Sequence, residues 1–159
     1  MIFLGIDPGS RICGYGLLET ERRKIVAVGY DVIKLNPSSQ LADRIEVIYN
    51  RIKSVINDNK PDRIGIETIF YGQNFKSALT LGHVRGAILL AVAQEKIALR
   101  EYSPREIKKA VTGNGNASKQ QVQYMLPKLL NIKIDNLPPD AADALAVAYA
   151  LYNNERFRN

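Results

Sequence analysis

Met1-Ile-Phe-Leu-Gly-Ile-Asp-Pro-Gly-Ser10 is the stretch on which the rest of this 159-residue chain is organised. Ile2, Phe3, Leu4 and Ile6 form an apolar run of strand length in which nothing polar alternates. That pattern predicts a strand covered on both faces. Pro8-Gly9 then forces a turn, so Asp7 is expected at the carboxyl end of a central strand, the place where open α/β sheets bind ligands. Two readings of Asp7 stand at this point. It is a turn aspartate accepting hydrogen bonds from the amides of Gly9 and Ser10, or it is a carboxylate held out for a ligand.

One domain of residues 1–159 is expected, with a polar tail over 153–159, since a chain of this length buries roughly 70% of its unfolded surface in a single core. An apolar fraction of 46% and a charged fraction of 24% are ordinary for a globular protein. No uninterrupted apolar run reaches the ~18 residues of a membrane span. Met1 leads directly into the first strand, which leaves no room for a signal peptide, and a single cysteine, Cys13, predicts a reducing, cytoplasmic setting. Cys13 and His83 are the only residues of their kinds. A disulfide within the chain and a Cys/His zinc site are thereby excluded, and any metal site must use oxygen ligands. The balance of 22 Lys and Arg against 16 Asp and Glu gives a net charge of +6. That suits a polyanionic partner without requiring one.

Residues 13–20 read as a second strand, thinned by Gly14 and Gly16 where another backbone is expected to come close. Glu21-Arg-Arg-Lys24 is a charged hairpin, and a third strand runs to about Leu35. Asn36 and Pro37 predict a helix start, and the apolar positions from Leu41 to Ile56 keep helical spacing to near Asn59. Arg63-Ile-Gly-Ile-Glu67 is the fourth strand, parallel to the first because a helix leads into it. After a loop over 70–74, residues 76–95 form a long helix. It is so apolar, with Gly82 and Gly86 one turn apart, that close packing on more than one side is expected. Residues 97–102 are the fifth strand. Ser103-Pro104 opens a short helix to about Val111, a flexible connection covers 113–118, and helices follow over 119–130 and 140–153. The order β-β-β-α-β-α-β-α is that of the ribonuclease H-like α/β fold, a mixed five-stranded sheet flanked by helices.

Glu67 also ends its strand, so two neighbouring strands would bring Asp7 and Glu67 within ~5 Å of each other's backbone. Asp140 and Asp143 lie at i and i+3, on one face of the last helix. A dipole-favoured acid in a first turn accounts for Asp140 equally well. Asp143 is different, because Ala141, Ala142, Ala144, Leu145 and Ala146 make its helix a packing element. An acid among them must face a polar cleft or pair with something. Four acids at one edge would raise each other's pKa values, and divalent cations relieve that repulsion. Two magnesium ions ~4 Å apart would activate a water and stabilise the leaving oxygen of a phosphodiester. Arg105, Lys108, Lys109 and Lys119 concentrate positive charge around the glycine-rich connection, where it would neutralise phosphates or simply form a solvated face.

With these motifs in order, the chain resembles the RuvC-type Holliday junction resolvases over nearly its whole length. The matching stretches are Gly5-Ile-Asp7-Pro-Gly-Ser10 with Gly14-Tyr-Gly16, Ile66-Glu67 followed by Phe70, and Asn74. Ser77-Ala-Leu-Thr-Leu-Gly82, Arg85-Gly86 and Tyr102-Ser-Pro-Arg-Glu-Ile-Lys108 come next. Val111-Thr-Gly-Asn-Gly115, Ala117, Lys119, Gln121-Val122 and Asp140-Ala-Ala-Asp143-Ala-Leu-Ala146 complete the set. The resemblance implies a homodimeric, Mg2+-dependent endonuclease that cuts four-way DNA junctions by paired nicks in recombination and repair, with Mn2+ as a substitute ion. It also implies a branch-migration complex of RuvA and RuvB type as partner. Asp7, Glu67, Asp140 and Asp143 fall on its metal-binding catalytic positions. Lys108 and Lys119 fall on positions that contact DNA and assist catalysis, and Phe70 on an aromatic position that stacks on a base. Tyr71 could share that stacking, and Asn74 joins the DNA-binding set. Residues 76–92 match the dimer interface, against the alternative of burial within one subunit.

Three other readings compete. A non-catalytic junction-binding module would keep the fold without cutting. A related nuclease family processes structured RNA. An actin-like or sugar-kinase ATPase also places an acid after its first strand, but needs two such domains.

Overall fold

The computed structural model of the protein describes residues 1–68, 75–132 and 137–156. Its strands are β1 (Ile2–Asp7), β2 (Ile12–Glu21), β3 (Lys24–Lys34), β4 (Arg63–Glu67) and β5 (Ala98–Tyr102). They form one sheet in the order β3-β2-β1-β4-β5. β2 is antiparallel to both β1 and β3, whereas β4 and β5 run parallel to β1 and to each other. The carboxyl ends of β1, β3, β4 and β5 therefore meet at one edge of the sheet, and this edge carries Asp7 and Glu67. The helices are α1 (Leu41–Asn59), α2 (Phe75–Gln94), α3 (Pro104–Thr112), α4 (Lys119–Leu130) and α5 (Pro139–Arg156).

Each face of the sheet has its own core. On one, Ile48, Ile52, Val55 and Ile56 of α1 and Val84, Ile88, Ala91 and Val92 of α2 cover Leu4, Ile6, Ile64 and Ile66. On the other, α5 covers Phe3 and Leu18 and is itself covered by Ile107 and Val111 of α3 and by Val122 and Leu126 of α4. Helix α5 is buried nearly all round, which explains a sequence that is alanine-rich on every side. It can lie so close because Gly5 pairs with Gly16 on one side and Gly65 on the other, making a row without side chains across three strands. A Cβ on Gly5 would stand 2.2 Å from the Ala144 carbonyl oxygen and 2.3 Å from the Ala148 nitrogen. The close approach expected at Gly14 and Gly16 is present: their Cβ positions are filled by Asp140 backbone and by Leu145.

Two expectations are corrected. Asn36 does not cap α1. Its side-chain oxygen accepts from the Ser38 amide at 3.0 Å and closes a turn, so the helix starts at Leu41 beyond Gln40. Asn at the first position of a turn and Pro at the second serve a turn as well as a helix start. The connection over 113–118 is a bonded structure, not a loose one. Thr112 Oγ1 donates to the Lys108 carbonyl, the Asn114 amide donates to Thr112 Oγ1, and the Asn116 amide donates to Asn114 Oδ1. Gly113 takes a φ of 78° that ends α3, and Ser118 starts α4 with a reciprocal bond to Gln121.

Within the chain, α2 packs on one side only, which leaves its second face open. Phe75, Leu79 and Leu90 are 80%, 51% and 54% exposed, and a Cβ on Gly82 or Gly86 would touch nothing within 4 Å. By length and composition alone α2 would also serve as a membrane span, although no uninterrupted apolar run was found there. Its inner side is core, however, and Arg85 on it pairs with Glu101 of β5 at 2.6 Å. Residues 75, 79, 82, 86 and 90 recur at helical spacing and make one open apolar stripe.

Candidate active site

Strand pairing brings the first two acids together. β1 and β4 are adjacent and parallel, with Ile6 opposite Ile66, so Asp7 and Glu67 follow side by side. Leu4, Ile6, Ile64 and Ile66 point to the α1 and α2 side, hence Gly5, Gly65, Asp7 and Glu67 point to the α5 side. The end of β4 is pinned just past Glu67, where the Thr68 amide and hydroxyl both donate to the Tyr102 carbonyl, at 2.8 and 3.2 Å. Opposite them, α5 presents Asp140 and Asp143 from its first turns. Asp7 is in register with Gly14, whose bare backbone lies against Asp140. The glycines that seat α5 thus also set the spacing of the acids.

Asp7 and Glu67 show the mutual effect expected of such a cluster. Burial pushes the Asp7 carboxyl up to about 8, and Glu67, Asp143 and Asp140 add to the rise. Glu67 is also raised, by burial first and then by Asp143, while its hydrogen bond with Asp7, Lys119 and Lys108 oppose the shift. Asp7 and Glu67 therefore titrate as a pair, both held above the ordinary carboxylate range. Lys119 Nζ lies 2.5 Å from Asp143 Oδ2, and this bond is the largest cause of its raised pKa. Among the described residues, no group of three His, Cys, Asp or Glu side chains stands arranged to enclose a metal ion, and Lys119 holds an Asp143 oxygen. Cys13 is buried, with its thiol pushed up to about 12 chiefly by burial, and His83 is exposed on α2.

A cleft of about 250 Å3 opens beside the acids, lined by Glu67 and Asp143, by Lys108 and Lys119, and by Pro104, Ile107, Val122 and Ala146. It is an acid-and-lysine site with an apolar floor. The capping box of Ser103 with Glu106 fixes the start of α3 and so turns Lys108 toward it. The structure treats the other basic residues differently. Arg105 packs on Gly115, with its Cγ 2.6 Å from where a Cβ would stand. Lys109, one residue on from Lys108, lines a separate cavity with Arg100, Glu106 and Asn154. Phe70, Tyr71 and Asn74 lie outside the described residues. Gly5 and Thr68, to which the sequence alone gave no role, turn out to hold α5 and Glu67 in place. Their significance depends on cross-strand register, which one strand read by itself does not carry.

The family profile described as crossover junction endodeoxyribonuclease RuvC matches residues 3–150. The chain belongs to the RuvC family. A RuvC from Ruminiclostridium cellulolyticum is 44% identical over 156 residues, covering 98% of this chain and 94% of that protein. The Thermus thermophilus RuvC structure in complex with Holliday junction substrate superposes with a TM-score of 0.90 at 29% identity, covering 98% of this chain and 95% of that one. A yeast mitochondrial Holliday junction resolvase, Ydc2, shares the fold at a TM-score of 0.67 and 15% identity. The RuvC match thus spans every element that supplies an acid or a lysine to the cleft.

Lys119 gives a direct test of that cleft. Its side chain is 60% exposed and that of Asp143 27%, so their pair adds less than about 1 kcal/mol to stability. Lys119→Ala is expected to melt within a few degrees of the wild type. It should bind junction DNA more weakly, with a log–log salt slope shallower by about 1. An unchanged slope in a salt titration would remove Lys119 from the phosphate contacts.

Proposed function

We propose that this protein is a divalent-metal-dependent endonuclease that resolves four-way Holliday junctions by symmetric paired nicks. The observation that carries the reading is the convergence of four acids beside two lysines at the carboxyl edge of a RuvC-family sheet. The donor set fits a hard cation, because its acids are oxygen donors whose mutual repulsion a bound charge would relieve. Asp7, Glu67, Asp140 and Asp143 would hold Mg2+, in one or two ions, with Mn2+ as a substitute. Bound there, the metal would supply Lewis acidity at the phosphodiester and would activate a water near neutral pH.

The chain's own groups bind and orient the DNA. Lys108 and Lys119 neutralise the phosphate drawn against the acids. Lys119 Nζ, bonded to Asp143 Oδ2, is placed to exchange that carboxylate for a phosphate oxygen. Ile107, Val122 and Ala146 narrow the cleft around the reacting group, and low local polarity strengthens each charge contact inside it. α1, α2 and α3 each begin just beyond the carboxyl end of a strand, so their positive dipole ends add to the field felt by DNA.

Paired nicks need two sites related by a two-fold axis, and a homodimer built on the open α2 stripe would provide them. Phe75, Leu79 and Leu90 would be its apolar contacts, with Gly82 and Gly86 letting the two helices approach. Gly86→Arg tests this without touching the fold, since nothing lies within 4 Å of the new Cβ. It is expected to sediment as a monomer and to leave singly nicked junctions. A dimer that still cuts in pairs would place the interface elsewhere. The reading as a whole is tested by incubating the protein with synthetic four-way junction, linear duplex and structured RNA, with and without Mg2+. Symmetric cuts in the junction alone, dependent on metal, are expected. Intact junction strands would refute the enzyme, and preferred cutting of the RNA would refute its substrate.

A further inference from the structure

The flank of the catalytic edge opposite the lysines carries a group whose bonding is incomplete. Arg44, in the first turn of α1, reaches back under the turn that follows Asp7. Its Nη1 donates to the Ser10 carbonyl at a long 3.4 Å, and its Nε is buried with no hydrogen-bond partner. A buried donor left unpaired is costly, so it calls for a ligand or another explanation. A cavity of about 170 Å3 opens at this place, lined by Lys34, Asn36, Ser39, Asp43, Arg44 and Val47 together with Leu35. Two cations, a hydroxyl and a carboxamide face one carboxylate there. The Asn36 oxygen is taken by the Ser38 amide, which leaves its NH2 group as a donor. Arg11 extends the positive charge, because its carbonyl accepts from the Leu35 amide at 2.7 Å and its side chain is exposed.

We propose that this cavity is a phosphate-binding subsite, in which Arg44 and Lys34 hold a phosphodiester of the bound DNA on the α1 side of the active site. The inference rests on the junction-nuclease reading and extends the DNA path beyond the Lys108 and Lys119 flank. Its position suits that role. Ser10 is three residues from Asp7, hence within about 11 Å along the chain, and consecutive phosphates of one strand advance ~3.4 Å along the helix axis. Arginine is the side chain best matched to a phosphate at such a point, since its planar fork offers two parallel donors. Binding there would give the guanidinium a charged partner through its terminal nitrogens and tighten the Pro8-Gly9-Ser10 turn that carries Asp7. The subsite would then couple DNA binding to the placement of a catalytic acid.

Two variants test the subsite. Arg44→Lys keeps the charge and loses the fork, and Lys34→Gln lies on an exposed strand end where folding does not depend on it. Junction binding is measured by fluorescence anisotropy in chelator across a salt titration, and cutting is measured with Mg2+ at saturating junction. Lys34→Gln should lower the log–log salt slope by about 1 and weaken binding several-fold. Arg44→Lys should keep most of the slope yet lose about tenfold in cutting at saturation, as the turn loses its anchor. Wild-type slopes and rates in both variants, with the wild type cutting normally, would overturn the subsite alone. A wild type that neither binds nor cuts the junction would overturn the underlying function instead.

Discussion

Asp7→Asn is expected to lower junction cutting by about a thousandfold or more, leave binding intact, and make the metal-free protein more stable at alkaline pH. Both effects have one cause. Asp7 is an acid in a place that does not suit an unbalanced charge, with its pKa pushed from 3.8 to about 8 by burial and by Glu67, Asp143 and Asp140. Between those two values the folded protein holds a proton that the unfolded chain has released, so stability falls as pH rises through this window. Below it, Asp7 is protonated in both states and costs nothing. Asparagine is neutral throughout, and its NH2 group can donate to Glu67 as the protonated acid does. Its advantage should be absent near pH 4, grow toward pH 8, and level off on the order of a few kcal/mol. Adding a divalent metal should reverse the order, because ligand binding stabilises only the protein that retains the site. Thermal melts of both proteins at pH 5 and pH 8.5, in chelator and in Mg2+, read this out. A stability gap that ignores pH would mean that Asp7 is not the protonated acid of the cluster. Cutting at the wild-type rate would mean that the metal site lies elsewhere.

The acids were legible in the sequence because each sits where a local pattern ends. Asp7 and Glu67 close apolar strands that pair side by side, and Asp140 and Asp143 share a helix face that the seating of α5 brings over them. The same local logic failed where one pattern serves two structures. Asn36-Pro37 suits a turn as well as a helix start, and the turn was chosen. Gly113 to Ser118 has the composition of a loose connection, yet Thr112 and Asn114 use their side chains to close it. Lys108 and Lys109 differ by about 100° around α3, so only one of them could face the acids. Which one depends on how α3 docks on α5, through Ile107 and Val111, and that is a tertiary fact. The one-sided packing of α2 was hidden for a related reason. An apolar helix reads the same whether its second face meets its own chain or another.

The glycine row explains how so many parts reach one point, and it gives the second large effect. Gly5→Ala is expected to cost on the order of 3 kcal/mol, a fall in melting temperature of roughly 6–12 °C for a chain of this size. Its Cβ would collide with the carbonyl oxygen of Ala144 and with the nitrogen of Ala148, backbone atoms in the middle of α5 that cannot rotate aside. The helix must lift off the sheet, and the core beneath it opens. Gly14→Ala should behave differently. Its Cβ would stand 2.0 Å from the Asp140 carbonyl oxygen, at the end of α5 where a small shift relieves the clash. Stability should fall less than in Gly5→Ala, while cutting falls about a hundredfold, the usual effect of moving a catalytic group by ~1 Å. Gly65→Ala is the internal comparison, since its Cβ meets only side chains, Val147 at 3.1 Å and Leu151 at 3.5 Å, and both properties should change little. Melting curves and cutting rates of the three variants should therefore separate, with stability lost most at Gly5 and activity lost out of proportion at Gly14. If Gly14→Ala lost both in parallel, or neither, the approach of β2 to α5 would not be what sets Asp140 and Asp143 against Asp7.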